Sequence, residues 1–391
     1  KVVISRSGSD VTLGFSDQSG SIRLVGEDGG YGAGLEQVVF GDGTTWTRQN
    51  LESAYIAQQE AAGATSITGF DQNNDVIVGT TGADTLSGLG GNDSLTGGLG
   101  DDSLNGGGGA DTFIYNAGDG NDTITDAASY DSTVDKLVLG AGLTPDKVVI
   151  SRSGSDVTLG FSDQPGSIRL VGEDGGYGAG LEQVVFGDGT TWSRQNLESA
   201  YIAQQEAAGA TSITGFDQNN DVIVGTAGAD TLSGLGGNDS LTGGLGDDSL
   251  NGGGGADTFI YNAGDGNDTI TDAASYDATV DKLNLVGINS TAVSLSRNGN
   301  DVTLQIAGTG STANGSVLLK NELDSSYGQG VEQICFADGT IWTAADLRMK
   351  LISAAGTPGN DAIVGTNASD IINGGLGDDS LNGGGGADTF I

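Results

Sequence analysis

Fourteen aspartates in this 391-residue chain fall in nine-residue phase, each two places before an isoleucine, leucine or phenylalanine. They are Asp75, Asp84, Asp93, Asp102 and Asp111, then Asp221, Asp230, Asp239, Asp248 and Asp257, then Asp361, Asp370, Asp379 and Asp388. The fullest copy of the unit, Gly97-Gly-Leu-Gly-Asp-Asp102-Ser-Leu104-Asn, recurs at 243–251 and 374–382. A carboxylate presented at fixed intervals by glycine loops is a ligand for a hard cation. A single such aspartate would merely shape its turn through an Asx hydrogen bond; strict phase over fourteen units requires more.

Within a unit, six residues read as a turn and three as a strand. A strand with one large apolar side chain buries it only if strands stack in register. Two units, 18 residues, then make one turn of a flattened coil, with neighbouring coils about 4.8 Å apart. Aspartates 18 residues apart meet in adjacent coils and repel one another unless a cation lies between them. Calcium takes six to eight oxygens, roughly, from carboxylates and backbone carbonyls in flexible geometry. The carbonyls expected to serve lie around Gly88, Gly90, Gly97, Gly106 and Gly108, Gly234, Gly236, Gly243, Gly252 and Gly254, and Gly374, Gly383 and Gly385. Magnesium demands a tighter octahedron, and zinc and copper prefer histidine and cysteine, of which the chain has none and one. Pairing each aspartate with the one two units on gives a floor of about eight calcium ions. Asp122 and Asp268, in Gly-Asp-Gly-Asn-Asp-Thr-Ile, are candidates for closing the stacks, whereas Asp75 and Asp221 lack the leading glycines.

The 52 acidic and 14 basic residues leave a net charge of −38, so compaction needs counter-ions held inside the structure. Nucleic acid and anionic membrane are excluded as partners, since both need basic patches. No apolar run is long enough to span a membrane, and Lys1 is not followed by a basic-then-apolar leader. Cys335 stands where the other modules carry Val39 and Val185, and is expected to be a small buried hydrophobe. Without histidine, a Gly-x-Ser-x-Gly elbow or a metalloprotease helix motif, no enzyme is expected. The Asp101–Asp102 pair reads as part of a turn, not as a glycosidase dyad.

The elements that must position these turns repeat with a shift of 146 residues. From Lys1 to Leu137 the first two copies differ only at Ser19/Pro165, Thr47/Ser193, Thr81/Ala227 and Ser132/Ala278. A diverged third copy starts near Ala292. Between the aspartate blocks, short alternating stretches such as Val157-Thr-Leu159 and Ile168-Arg-Leu170 predict antiparallel strands. Hairpin turns are expected at 151–156 and 187–190. Leu197, Ala200, Tyr201 and Ala208 predict a helix capped by Asn196 or Ser193, with Gly209 beyond its end. Trp46, Trp192 and Trp342, beside hairpin turns, are expected to pack in the core. The fold class is all-β with one short helix per module: tandem parallel β-roll (β-solenoid) segments alternating with small antiparallel β-plus-helix segments. The expected divisions are 1–67, the roll at 68–124, 125–213, the roll at 214–270, 271–355 and the roll at 356–391.

The nonapeptide resembles the RTX, or haemolysin-type, calcium-binding repeat. The intervening Tyr-Gly-x-Gly-x-Glu-Gln…Phe-x-Asp-Gly-Thr-x-Trp pattern is similar to the haemolysin-type calcium-binding related domain. The resemblance implies calcium bound by the aspartates and turn carbonyls of a parallel β-roll. It also implies type I secretion to the exterior or the bacterial cell surface. The near-identical modules then suggest a calcium-rigidified stalk, surface-layer, matrix-fibre or adhesin extender that self-associates into an array or filament. The alternative is the C-terminal folding and secretion region of a larger enzyme or toxin.

Overall fold

A computed structural model describes residues 1–26, 35–126, 133–173, 180–272, 279–308, 314–323 and 330–391. The chain divides into two units, Lys1–Leu197 and Glu198–Ile391. In the first, Ser66–Thr68, Thr85–Gly90, Ser103–Gly108 and Asn121–Thr125 lie side by side in one sheet. Val76–Val78, Ser94–Thr96, Thr112–Tyr115 and Lys136–Leu139 form the other. All these pairings are parallel, with Leu86 opposite Leu104 and Leu95 opposite Phe113. Successive nonapeptides therefore alternate between two sheets, and 18 residues complete a coil. The apolar residue of each unit points inward: Ile77, Leu86, Leu95, Leu104 and Phe113 are all buried. Burying each such side chain contributes roughly 1.5–3 kcal/mol.

The second unit repeats this arrangement. Ser212–Thr214, Thr231–Gly236, Ser249–Gly254 and Asn267–Thr271 face Val222–Val224, Ser240–Thr242, Thr258–Asn262 and Lys282–Val286. It also holds the last, short roll, in which Ala362–Val364 pairs with Ser380–Asn382 and Ile371–Ile372 with Thr389–Phe390.

The boundaries expected at 124/125 and 270/271 are not breaks in the sheets. Asn121–Thr125 pairs in parallel with Ser167–Val171, which pairs antiparallel with Asp156–Phe161. Lys136–Leu139 pairs in parallel with Gln183–Val185, itself antiparallel to Thr191–Ser193. The second unit joins Asn267–Thr271 to Gly315–Leu319 and Lys282–Val286 to Gln333–Phe336 in the same way. The supposedly separate antiparallel segment is thus the end of the roll. An uncovered last coil would expose a row of unpaired backbone groups, and these strands take them up. Both expected hairpins form, Val148–Ser153 with Asp156–Phe161 and Gln183–Val185 with Thr191–Ser193.

Among the described residues, three α-helices follow the hairpins: α1 (Arg48–Ala61), α2 (Arg194–Ala207) and α3 (Ala344–Ala355). Ser193 and Asn196, read as rival caps, are two halves of one capping box, as are Thr47 with Asn50 and Thr343 with Asp346. The expected stripe is corrected in part. Leu197 and Ile202 are buried, Ala200 and Tyr201 half-buried, and Ala208 exposed beyond the last helical residue. Cys335 is only half-buried, because Ile334 and Phe336 take the inward positions of its strand and period two turns Cys335 outward. Trp342 is buried and Trp46 and Trp192 are half-buried. Each stands edge-on to the phenylalanine before its turn, Phe336, Phe40 or Phe186, with ring centroids 4.5, 4.9 and 4.7 Å apart.

Candidate metal centres

The aspartates stack as the nine-residue phase requires, but their two carboxylate oxygens do different things. Beyond the first coil of each roll, Oδ1 accepts a backbone N–H from the aspartate one coil earlier. Asp75 N donates to Asp93 Oδ1 (2.7 Å), Asp84 N to Asp102 (2.8 Å) and Asp93 N to Asp111 (2.7 Å). Asp102 N donates to Asp122 (3.1 Å), which places Asp122 next in the stack after Asp102; Asp248 N and Asp268 match it. Asp221, Asp230 and Asp239 donate likewise to Asp239, Asp248 and Asp257. Asp361 and Asp370 donate to the half-buried Asp379 and Asp388, both at 3.0 Å. Carboxylates 18 residues apart are therefore linked through the backbone rather than facing each other as bare charges.

Oδ2 turns into the glycine loop. Among the described residues, Oδ2 of Asp93, Asp102, Asp111, Asp239, Asp248 and Asp257 is buried with no hydrogen-bond partner. Around Asp93 the cradle is made by Gly88 and by Gly106 of the next coil. A Cβ on Gly88 would collide with Asp93 Oδ2 and lie 2.6 Å from Gly106 O. An anionic oxygen and a carbonyl oxygen converging on space that one methyl would fill is an all-oxygen donor set, and it suits calcium. At the start of each roll the outer oxygen is engaged. Phe70 N donates to Asp75 Oδ2 and Thr80 N to Asp84 Oδ2, both at 2.6 Å. Phe216 and Thr226 do the same for Asp221 and Asp230, and Thr357 and Thr366 for Asp361 and Asp370. Of the glycines expected to offer carbonyls, Gly108 O and Gly254 O instead accept Gly91 N and Gly237 N of the preceding coil.

Residues that the repeat pattern did not flag complete the last coil. A Cβ on Gly106 would meet Asp111 Oδ2 and lie 2.6 Å from Asp126 Oδ1, so Asp126 replaces the glycine carbonyl of the coil that is missing. Asp111, Asp126 and Asp135 bring carboxylate oxygens within 4.8 Å of one another, as do Asp257, Asp272 and Asp281. All six are buried, and Asp126 Oδ1 and Asp272 Oδ1 are unpaired. Asp111 N donates to Asp135 Oδ1 (2.5 Å) and Asp135 N to Glu182 Oε2 (2.7 Å). Asp257, Asp281 and Glu332 repeat this sequence. A signal was present, since Asp135-Lys-Leu137 and Glu182-Gln-Val184 keep the acid-x-apolar spacing of Asp111-Thr-Phe113. The intervals of 24 and 47 residues hid them from a nine-residue count.

Burial raises the carboxyls above the usual carboxylate value. It carries Asp93 to about 7, with the charges of Asp111 and Asp75 adding to it against the Asp75 N–H. Asp111 rises to about 6 and Asp122 to about 7 for the same reason. Asp126 and Asp272 are pushed further up, by burial and by the adjoining Asp135 and Asp281. These groups resist ionising alone and ionise readily beside a cation.

The Gly88 cradle gives an internal comparison. Gly88→Ala is expected to remove one calcium ion and to destabilise the loaded roll by roughly 1–3 kcal/mol. Gly108→Ala should be silent, because a Cβ there has nothing within 4 Å. Calorimetric ion counting and thermal unfolding of both variants separate them, and equal behaviour would remove the cradle from the metal site.

Comparison with known proteins agrees with this geometry. The RTX calcium-binding nonapeptide repeat matches at 71–104, 78–113, 88–124, 217–250, 224–259, 233–270 and 355–390. The haemolysin-type calcium binding protein related domain matches 301–346. No curated protein matches the chain. Among the solved structures, the extracellular lipase LipA from Serratia marcescens aligns at 18% identity over 65% of this chain, with a TM-score of 0.17. The chain spans 40% of that lipase's length, and so slight a likeness bears no weight here.

Proposed function

We propose that this chain, which carries RTX calcium-binding repeats and a haemolysin-type related domain, is an extracellular structural protein that folds on calcium. The observation that carries this reading is the row of buried, unpaired aspartate oxygens aimed into glycine cradles. Asp93, Asp102, Asp111 and their counterparts Asp239, Asp248 and Asp257 would hold the ions, with Asp126, Asp135, Asp272 and Asp281 at the closing coils. Bound calcium neutralises these carboxylates and gives the turn carbonyls a partner. With free calcium scarce inside a cell and abundant outside, the chain stays extended until it is exported and then coils. About eight or more ions, secretion to the exterior or cell surface, and self-association through module ends belong to this reading.

The role as an extender is supported by economy of design. The first two modules differ at four positions from Lys1 to Leu137; such copies add length without adding chemistry, and no catalytic step is assigned to them. Negative-stain microscopy of the native, full-length protein tests it. Stalks or filaments that slacken in chelator are the expected result. A globular body with a short tail would overturn the extender role and favour an accessory region of a secreted enzyme or toxin.

A further inference from the structure

At the inner coils of a roll the cradle is closed by the carbonyl of a glycine one coil further on. Gly88 O closes the cradle of Gly69, Gly106 O that of Gly88, and Gly383 O that of Gly365. The same carbonyl on the first coil, Gly69 O or Gly365 O, follows a strand at the edge of its sheet and has no earlier cradle to close. In these two rolls, the first and the last of the three, an arginine from the preceding hairpin is there. Arg6 Nη1 donates to Gly69 O (2.6 Å) and Thr68 O (3.3 Å). Arg297 Nη1 donates to Gly365 O and Val364 O, both at 2.9 Å.

The arginine is pre-aimed. Its Nε donates to the carbonyl of a glycine two residues on, Gly8 (3.2 Å) or Gly299 (2.7 Å), which turns the hairpin with a φ of 61° or 63°. Arg6 also lies 4.5 Å over the Phe70 ring. In the first roll the other sheet edge is closed with the opposite charge, as Glu60 Oε1 of α1 accepts Val78 N at 2.8 Å.

We propose that Arg6 and Arg297 are built-in cations standing at the open ends of the first and last rolls, on the carbonyls that calcium would share with a preceding coil. The inference rests on the calcium reading above. It makes the first coil independent of metal: the hairpin docks it, and calcium then extends the roll from that fixed end. The arginines are positioning residues, placed where charge rather than bulk is required.

The test is calcium calorimetry and circular dichroism on the whole 391-residue chain, unsubstituted and as Arg6→Glu/Arg297→Glu. A carboxylate beside each vacated carbonyl pair should take a metal ion, so the double variant is expected to bind two more calcium ions while needing more calcium to fold. An unchanged ion count in a folded variant overturns the proposal. Should the double variant fail to fold at any calcium level, Arg6→Gln/Arg297→Gln decides. Loss of two charged hydrogen-bond donors should raise its folding midpoint on the order of tenfold, and Arg6→Lys/Arg297→Lys should restore most of it. A glutamine variant with the parent midpoint also overturns the proposal. A parent chain that binds no calcium would instead sink the underlying calcium reading.

Discussion

Excess chelator at pH 8 (about one unit above the raised carboxyls of Asp93 and Asp122) is expected to abolish the β-sheet signal of the rolls, and calcium to restore it. The reason is a comparison of magnitudes. Among the described residues, each unit buries four aspartate oxygens without a hydrogen-bond partner: those of Asp93, Asp102, Asp111 and Asp126 in the first, and of Asp239, Asp248, Asp257 and Asp272 in the second. A buried charge left uncompensated costs about 3–5 kcal/mol; Asp126 and Asp272 keep their protons at this pH, and the three others of each unit match the roughly 5–15 kcal/mol by which a domain is stable. The side chains that fill the core, such as Leu95 and Phe113, cannot hold coils together against that repulsion. Calcium binds only the coiled form and so stabilises it by mass action. Circular dichroism and sedimentation velocity, with magnesium as control, measure the outcome. A roll spectrum that survives in chelator at this pH would refute calcium-dependent folding.

Acid should do part of what calcium does. Asp93 and Asp122 rise to about 7 in the folded chain and Asp111 to about 6, against about 4 when unfolded. Groups whose folded pKa is raised bind protons more tightly in the folded state. Their stabilisation is full below about pH 4 and is lost as pH climbs through about 7. The calcium-free chain is therefore expected to gain β-structure on acidification from about pH 8 to about pH 5, the reverse of ordinary acid denaturation. With calcium present the dependence inverts. Metal displaces protons from the same oxygens, so affinity should rise across about pH 6–7 and binding should release protons. Chelated protein followed by circular dichroism through this range checks the first statement, and calorimetry in buffers of different ionisation enthalpy the second. A calcium-free chain indifferent to pH would show that these carboxyls do not control coiling.

The segments between the repeat blocks also acquire a physical role. Their strands extend both sheets of the roll, and Glu182 and Glu332 continue the aspartate ladder into them. An acid at the ladder position accepts the last free N–H, so the closing segment is registered to the roll by the same bond that registers one coil to the next.

Much of this was legible in the residues themselves. Aspartate at position six, one apolar residue at position eight and glycine around them dictate a stack of short strands, because a lone side chain per strand is buried no other way. The same pattern picked out the stacked aspartates from Asp84 to Asp111, and with them Asp122, as candidate ligands. Only the folded chain decided how each carboxylate is divided, one oxygen for the backbone of its neighbour and one for the cradle. It alone brought Asp126 and Asp135 to Asp111, and Arg6 to Gly69, across separations that no short-range period records. A repeat is written in local spacing and its interior can be read from that spacing. Its two ends are made by partners distant in sequence, which only the close approach of packed strands reveals.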